Sequence, residues 1–211
     1  MNTELIETTV NDGKISAVVN YSPEEVAVIK RTVAKDVTDT ELAYFLMICG
    51  SANLNPFLKE IWCYKDNKNN LLIFPGRDGF LKKAQQHPKF GGLRSGVIKE
   101  NDEWEINIPA GEVFHKITKA DRGKIIGAYA FVFRKDEEPT VVFVEFQRYN
   151  KGWNTWKSNP EDMIIKTAES KALKKAFGLA EFQVLEEYKV LKNGTVQALE
   201  QSLLPDMSNQ K

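Results

Sequence analysis

The sequence predicts an α+β fold, an antiparallel β-sheet packed with helices. Three observations carry this. Two capped helical segments come first, a run of short strands bounded by turn residues fills the middle, and a long helix with a lysine-rich side follows. That order belongs to an α+β chain and not to alternating βαβ units. With 211 residues, 42% hydrophobic and 27% charged, the chain can bury a real core. We expect a flexible arm over 1–20, one core domain over 21–180 and an acidic tail over 181–211.

Ser22-Pro23-Glu24-Glu25 opens the first helix, with Val26, Ile29, Val33 and Ala34 spaced for one face. Thr38-Asp39-Thr40-Glu41 is a capping box that opens a second, whose Leu42, Phe45, Leu46 and Cys49 face inward. Leu54-Asn55-Pro56 ends it. Glu60–Tyr64 and Leu71–Pro75 read as a hairpin around a turn of Asp, Asn and Lys. A short helix is expected over Phe80–Gln86, with Asp78 as its N-cap, and Phe90-Gly91-Gly92 marks a turn. Strands follow over 93–99, 103–108, 112–117, 125–134 and 140–147. The long helix starts at Asn159-Pro160, with Glu161 and Asp162 in its first turn, and stops at Gly178. The tail holds a further helical pattern up to Leu204, which suits either a docking helix or a frayed terminus.

At 100° per residue, Ile164, Ile165, Ala168, Ala172 and Ala176 share an arc suited to the core, with Lys175 inside it. Lys166, Thr167, Ser170, Lys171 and Lys174 fall on a separate arc. Directly upstream, Arg148, Tyr149, Lys151, Trp153, Trp156 and Lys157 mix cations with large rings. Cations suit a phosphate backbone and rings suit bases, so these residue types favour nucleic acid over a merely solvated face. The formal net charge is zero, but it is unevenly spread: six Lys or Arg against one Asp over Ile73–Lys99, and seven against three acids over Arg148–Ala176. Basic middle segments between acidic ends leave room for a local electrostatic footprint.

Other chemistries find little support. Cys49 and Cys63 lie apart in apolar segments and read as buried thiols; His87 and His115 read as structural. There is no Gly-Lys-Ser/Thr phosphate loop, no dinucleotide fingerprint and no nucleophile–base pair that spacing would support. Glu60, Asp78 and Glu145 are the carboxylates a metal-dependent nuclease would use, yet nothing in their spacing says that they converge. No stretch approaches the ~20 apolar residues of a membrane span, and no secretory signal opens the chain. The rival readings are a DNA-processing nuclease and a protein-docking domain with basic patches.

Leu54-Asn55-Pro56 with Lys59-Glu60-Ile61, then Gly76-Arg77-Asp78-Gly79-Phe80, then Trp156-Lys157-Ser158-Asn159-Pro160, then Met163 through Ala176-Phe177-Gly178 resembles, in order and spacing, the RecT/Bet family of phage single-strand annealing proteins. The resemblance runs from about Glu24 to Gly178. It implies a Rad52-like annealing core with a long C-terminal basic helix, and an ATP-independent recombinase without a catalytic site. Such a protein binds single-stranded DNA and the annealed duplex intermediate, and assembles with itself into rings or helical filaments. Its implied partners are a 5′→3′ exonuclease and a single-strand-binding protein, in the bacterial host cytoplasm and away from membranes. No cofactor is required, with Mg²⁺ admitted only as a counterion of the DNA. Lys174 and Lys35 match basic positions of the family, whereas Glu161 and Thr167 stand where some relatives place cations. The expected DNA-binding set is therefore Lys35, Arg77, Arg148, Lys151, Trp153, Lys157, Lys166, Thr167, Lys171 and Lys174. Trp156 is expected to fix its loop to the core, while Trp153 has two uses, stacking on bases or on a neighbouring protomer.

Overall fold

The computed structural model describes residues 21–66 and 68–179. The arm expected over 1–20 and the tail expected over 181–211 lie outside them. Helices α1 (Pro23–Thr32) and α2 (Asp39–Ala52) come first, then the hairpin β1 (Ile61–Lys65) and β2 (Leu71–Pro75). Helix α3 (Arg77–Gln85) leads into β3 (Phe90–Lys99), the hairpin β4 (Glu103–Asn107) and β5 (Glu112–Lys116), then β6 (Ile125–Arg134) and β7 (Thr140–Glu145). Two short helices, α4 (Phe146–Tyr149) and α5 (Thr155–Ser158), precede α6 (Pro160–Phe177). Every strand pair is antiparallel, in sheets ordered β1-β2, β3-β6-β7 and β4-β5. The fold is α+β.

Both expected capping boxes form. Ser22 accepts the N–H of Glu25 while its own N–H donates to the Glu25 carboxylate at 2.8 Å, and Thr38 and Glu41 repeat the exchange. Glu41 also meets Lys65 Nζ at 3.0 Å, which ties the start of α2 to β1. Ile29, Phe45, Cys49, Ile61 and Ile73 belong to the first hydrophobic core, formed by α1, α2 and the β1–β2 hairpin. The chain seals this unit where Cys63 N–H donates to Val33 O at 2.8 Å.

The second core joins α3, the three-stranded sheet and α6. Ala128, Ala130 and Val132 alternate along β6 toward Ile164, Ala168, Ala172 and Leu173 of α6, all of them buried. Small side chains on both surfaces let the helix lie close to the sheet. Burying Ile164 and Leu173 completely stabilises the contact by about 1.5–3 kcal/mol each.

Several local expectations need correction. Helix α3 begins at Arg77, because the Phe80 N–H already bonds to Gly76 O; Gly76 takes the N-cap position and Asp78 lies in the first turn. Phe90-Gly91-Gly92 is the irregular start of β3, where the register with β6 shifts and Gly92 takes φ +130°. Strand β7 stops at Glu145, since Phe146–Tyr149 coil into α4. Asn159 precedes α6 without capping it, its amide donating to the Asp162 carboxylate. Lys175 is exposed at the end of α6, whereas Glu169 and Leu173, outside the expected apolar arc, are buried.

Candidate nucleic-acid interface

The side of α6 turned away from the sheet carries exposed Lys166 and Lys171. Lys171 Nζ stands 5.3 Å from the centre of the Tyr149 ring, which brings α6 beside α4. Lys174 is half-buried, with Nζ 5.2 Å from the centre of the Phe80 ring of α3. A cation over an aromatic face is held electrostatically and still offers part of its charge outward. The Thr167 hydroxyl donates to Met163 O at 2.8 Å, so this side chain is spent on its own helix.

Upstream of α6, Lys151, Trp153 and Lys157 are exposed, Trp153 to 58%. Trp156 packs against the second core, its ring 6.2 Å from that of Phe146, as a loop anchor should. Arg148 is exposed and meets Glu145 at 2.9 Å, an ion pair that water screens heavily. Arg77 is positioned differently. Its Nε lies 3.2 Å from Asp78 and 3.4 Å from Glu169, and the side chain is only 30% exposed. Lys35 is exposed in the α1–α2 connection of the first core, and none of the interactions around α6 described above reaches it. The structure thus gathers Lys171, Lys174 and Arg148 with the exposed loop from Lys151 to Lys157. Lys166 shares their helix, Arg77 stands at the inner edge and Lys35 sits on the other core.

Three charged groups escaped the sequence reading. Glu169 lies on the sheet side of α6, where it accepts the Ser95 hydroxyl at 2.6 Å. Lys99 pairs with Glu161 at 2.6 Å, placing a cation beside the first turn of α6. Lys124 borders the same region, an open cleft of about 520 Å³ between the start of α6, α4 and the loop before β6. None announces itself in sequence, because each acquires its neighbours from distant segments.

A buried polar network supports that loop. The Asp102 side chain is fully shielded; it accepts Arg122 Nε at 2.9 Å, the Arg122 terminal nitrogen at 2.7 Å and the Lys99 N–H at 2.8 Å. His115 joins Asp102 at 3.0 Å to the Tyr129 hydroxyl at 3.1 Å. The Arg122 hydrogen bonds hold the Asp102 carboxyl well below the usual carboxylate range, outweighing the opposing effect of burial. His115 is thereby structural, as expected.

The carboxylates considered for metal chemistry each face a different cation. Glu60 is buried against Lys82 at 2.8 Å and the Asn55 N–H at 2.6 Å, Asp78 meets Arg77, and Glu145 meets Arg148. Among the described residues, no three His, Cys, Asp or Glu side chains gather where they would hold a metal ion. Nor is any described helix long and apolar enough to cross a membrane.

The described residues define an α+β domain that turns a lysine-bearing helix side and a cationic, tryptophan-bearing loop to solvent. The chain belongs to the RecT family, whose family model matches residues 20–196. It is similar to the recombination protein Bet of Escherichia phage lambda, 23% identical over 163 residues. That match covers 76% of this chain, which spans 57% of the length of that relative.

Proposed function

We propose that the protein anneals complementary single strands of DNA without ATP, as a phage-type recombinase built on a Rad52-like core. The observation that carries this reading is the outward placement of Lys166 and Lys171 on α6, beside the exposed loop of Lys151, Trp153 and Lys157, in a chain of the RecT family. Lysines bind the sugar-phosphate backbone irrespective of sequence and leave base edges free to test a partner strand. Repeated protomers, in rings or helical filaments, would keep one strand extended while correct pairing locks the second. The same reading takes single-stranded DNA and the nascent duplex as ligands, a 5′→3′ exonuclease and a single-strand-binding protein as partners, and the host cytoplasm as the setting. It needs neither a catalytic site nor a cofactor, Mg²⁺ serving only as a counterion.

The test is annealing of complementary oligonucleotides at low salt by Lys166→Glu combined with Lys171→Glu. Both side chains are exposed, so the variant should keep its melting temperature and lose annealing. A folded variant that anneals at the unsubstituted rate refutes the assignment. Magnesium-dependent degradation of the DNA by the unsubstituted protein would point instead to a nuclease.

A further inference from the structure

The open cleft at the start of α6 is the largest feature that the lysines of the helix do not explain. It is lined by apolar Ile125, Phe146 and Pro160, by the amide of Gln147, and by Lys99 and Lys124. At about 520 Å³ it falls in the roughly 300–1,000 Å³ range of small-molecule sites. Gln147 belongs to the same helical turn as Arg148, and the chain continues from there into Lys151 and Trp153. The cleft therefore adjoins the exposed cationic loop.

Its two cations differ in kind. Lys99 is largely covered, 18% exposed, and engaged with Glu161, so its charge is mostly compensated. Lys124 is exposed, and its side chain makes no ion pair among the described residues. Its backbone, however, is fixed. The Lys124 N–H donates to Glu100 at 3.1 Å, the Glu100 N–H donates back to Lys124 O at 3.0 Å, and Asn101 N–H donates to Arg122 O at 3.0 Å. Two residues before Lys124, Arg122 is clamped on buried Asp102. A buried, charge-assisted network thus holds an otherwise irregular loop so that one exposed lysine stands at the mouth of an apolar-lined cleft. Holding a cation in place beforehand lowers the ordering cost of binding.

We infer that this cleft is a nucleotide subsite, taking one unstacked base of a bound single strand against Ile125, Phe146 and Pro160 while Lys124 meets the adjoining phosphate. The inference rests on the annealing reading and deepens it. The α6 lysines would follow the backbone irrespective of sequence, and the cleft would turn a base out of the stack at one point per protomer. Apolar and aromatic contact with a base face tolerates any sequence, as annealing requires.

Two measurements test it. Lys124→Glu should weaken binding of a fluorescent single-stranded oligonucleotide several-fold and flatten the plot of log affinity against log salt by about 0.7, the share of one phosphate contact. Gln147 exchanged for the photocross-linker p-benzoylphenylalanine should cross-link to the bases of the bound oligonucleotide on irradiation, and free deoxynucleoside monophosphate should not suppress the product. The site is overturned if Lys124→Glu, folded by circular dichroism, keeps the unsubstituted affinity and salt slope while the Lys166/Lys171 double variant loses binding. It is equally overturned if position 147 gives no cross-link to a bound strand, or if free nucleotide competes as well as the strand does. No binding by the unsubstituted protein would remove the annealing reading itself, and this site with it.

Discussion

Ser95, midway along β3, donates a 2.6 Å hydrogen bond to Glu169, midway along α6. The bond stitches the sheet to the helix through a buried carboxylate whose other oxygen lies 3.4 Å from Arg77 Nε. At that distance the arginine contact is mainly electrostatic. Ser95→Ala should therefore destabilise the fold by about 1–3 kcal/mol, the cost of leaving a buried acceptor short of a donor. Urea unfolding followed by circular dichroism measures this. Arg77→Ala should likewise lower stability, and a loss of DNA binding in that variant counts as a direct contact only at a temperature where the protein is folded.

Asp102 gives a pH dependence of definite sign. Its folded pKa is depressed, so its contribution to stability is fully present above the unfolded carboxylate range near pH ~4 and is lost as pH falls through the folded value. Asp102→Asn should cost about 3 kcal/mol at pH 7, the low end for a broken buried pair because Arg122 is partly exposed. Thermal melts of both proteins across the acid range should show the gap narrowing below pH ~4.

Gly79 lies where α3 touches the chain that leads into β1. A Cβ there would sit 2.1 Å from Glu60 O, a backbone atom that cannot swing aside. Gly79→Ala should destabilise by about 1–3 kcal/mol or more through overpacking. The chemical denaturation midpoint should fall with little change in its slope.

Cys49 and Cys63 are almost wholly buried, and burial pushes the Cys63 thiol up to about 12 and that of Cys49 up as well. Thiolate is the reactive form. Neither described cysteine should react with a disulfide reagent at pH 8 on the timescale of a free thiol. Both should react at once in denaturant, and labelling followed by mass spectrometry reads the difference.

Much of the fold is legible because it is locally determined. The Ser22 and Thr38 capping boxes need only residues three apart, and the strands announce themselves by alternation and by their turn residues. What escapes depends on distant partners. The start of α3 has no side-chain cap to signal it, and Asp78 drew attention to the wrong position. Glu169 looks like any surface acid until Ser95, 74 residues earlier in the chain, is placed beside it. The same holds for the interface. The exposure of Lys166 and Lys171 follows from helical periodicity, and the packing of Trp156 follows from its bulk. The compensation of Arg77 by Glu169, and the arrival of Lys99 and Lys124 beside Glu161, arise only once four segments converge.

Trp153 stands between Gly152 and Asn154, whose backbones turn at φ +68° and +48°. Such a paired reversal leaves its indole solvated while the neighbouring Trp156 leans on Phe146. The protein therefore carries an optical reporter of its own. Any ligand that covers this loop should blue-shift or quench the emission of that ring, and follow its arrival in real time without an attached dye.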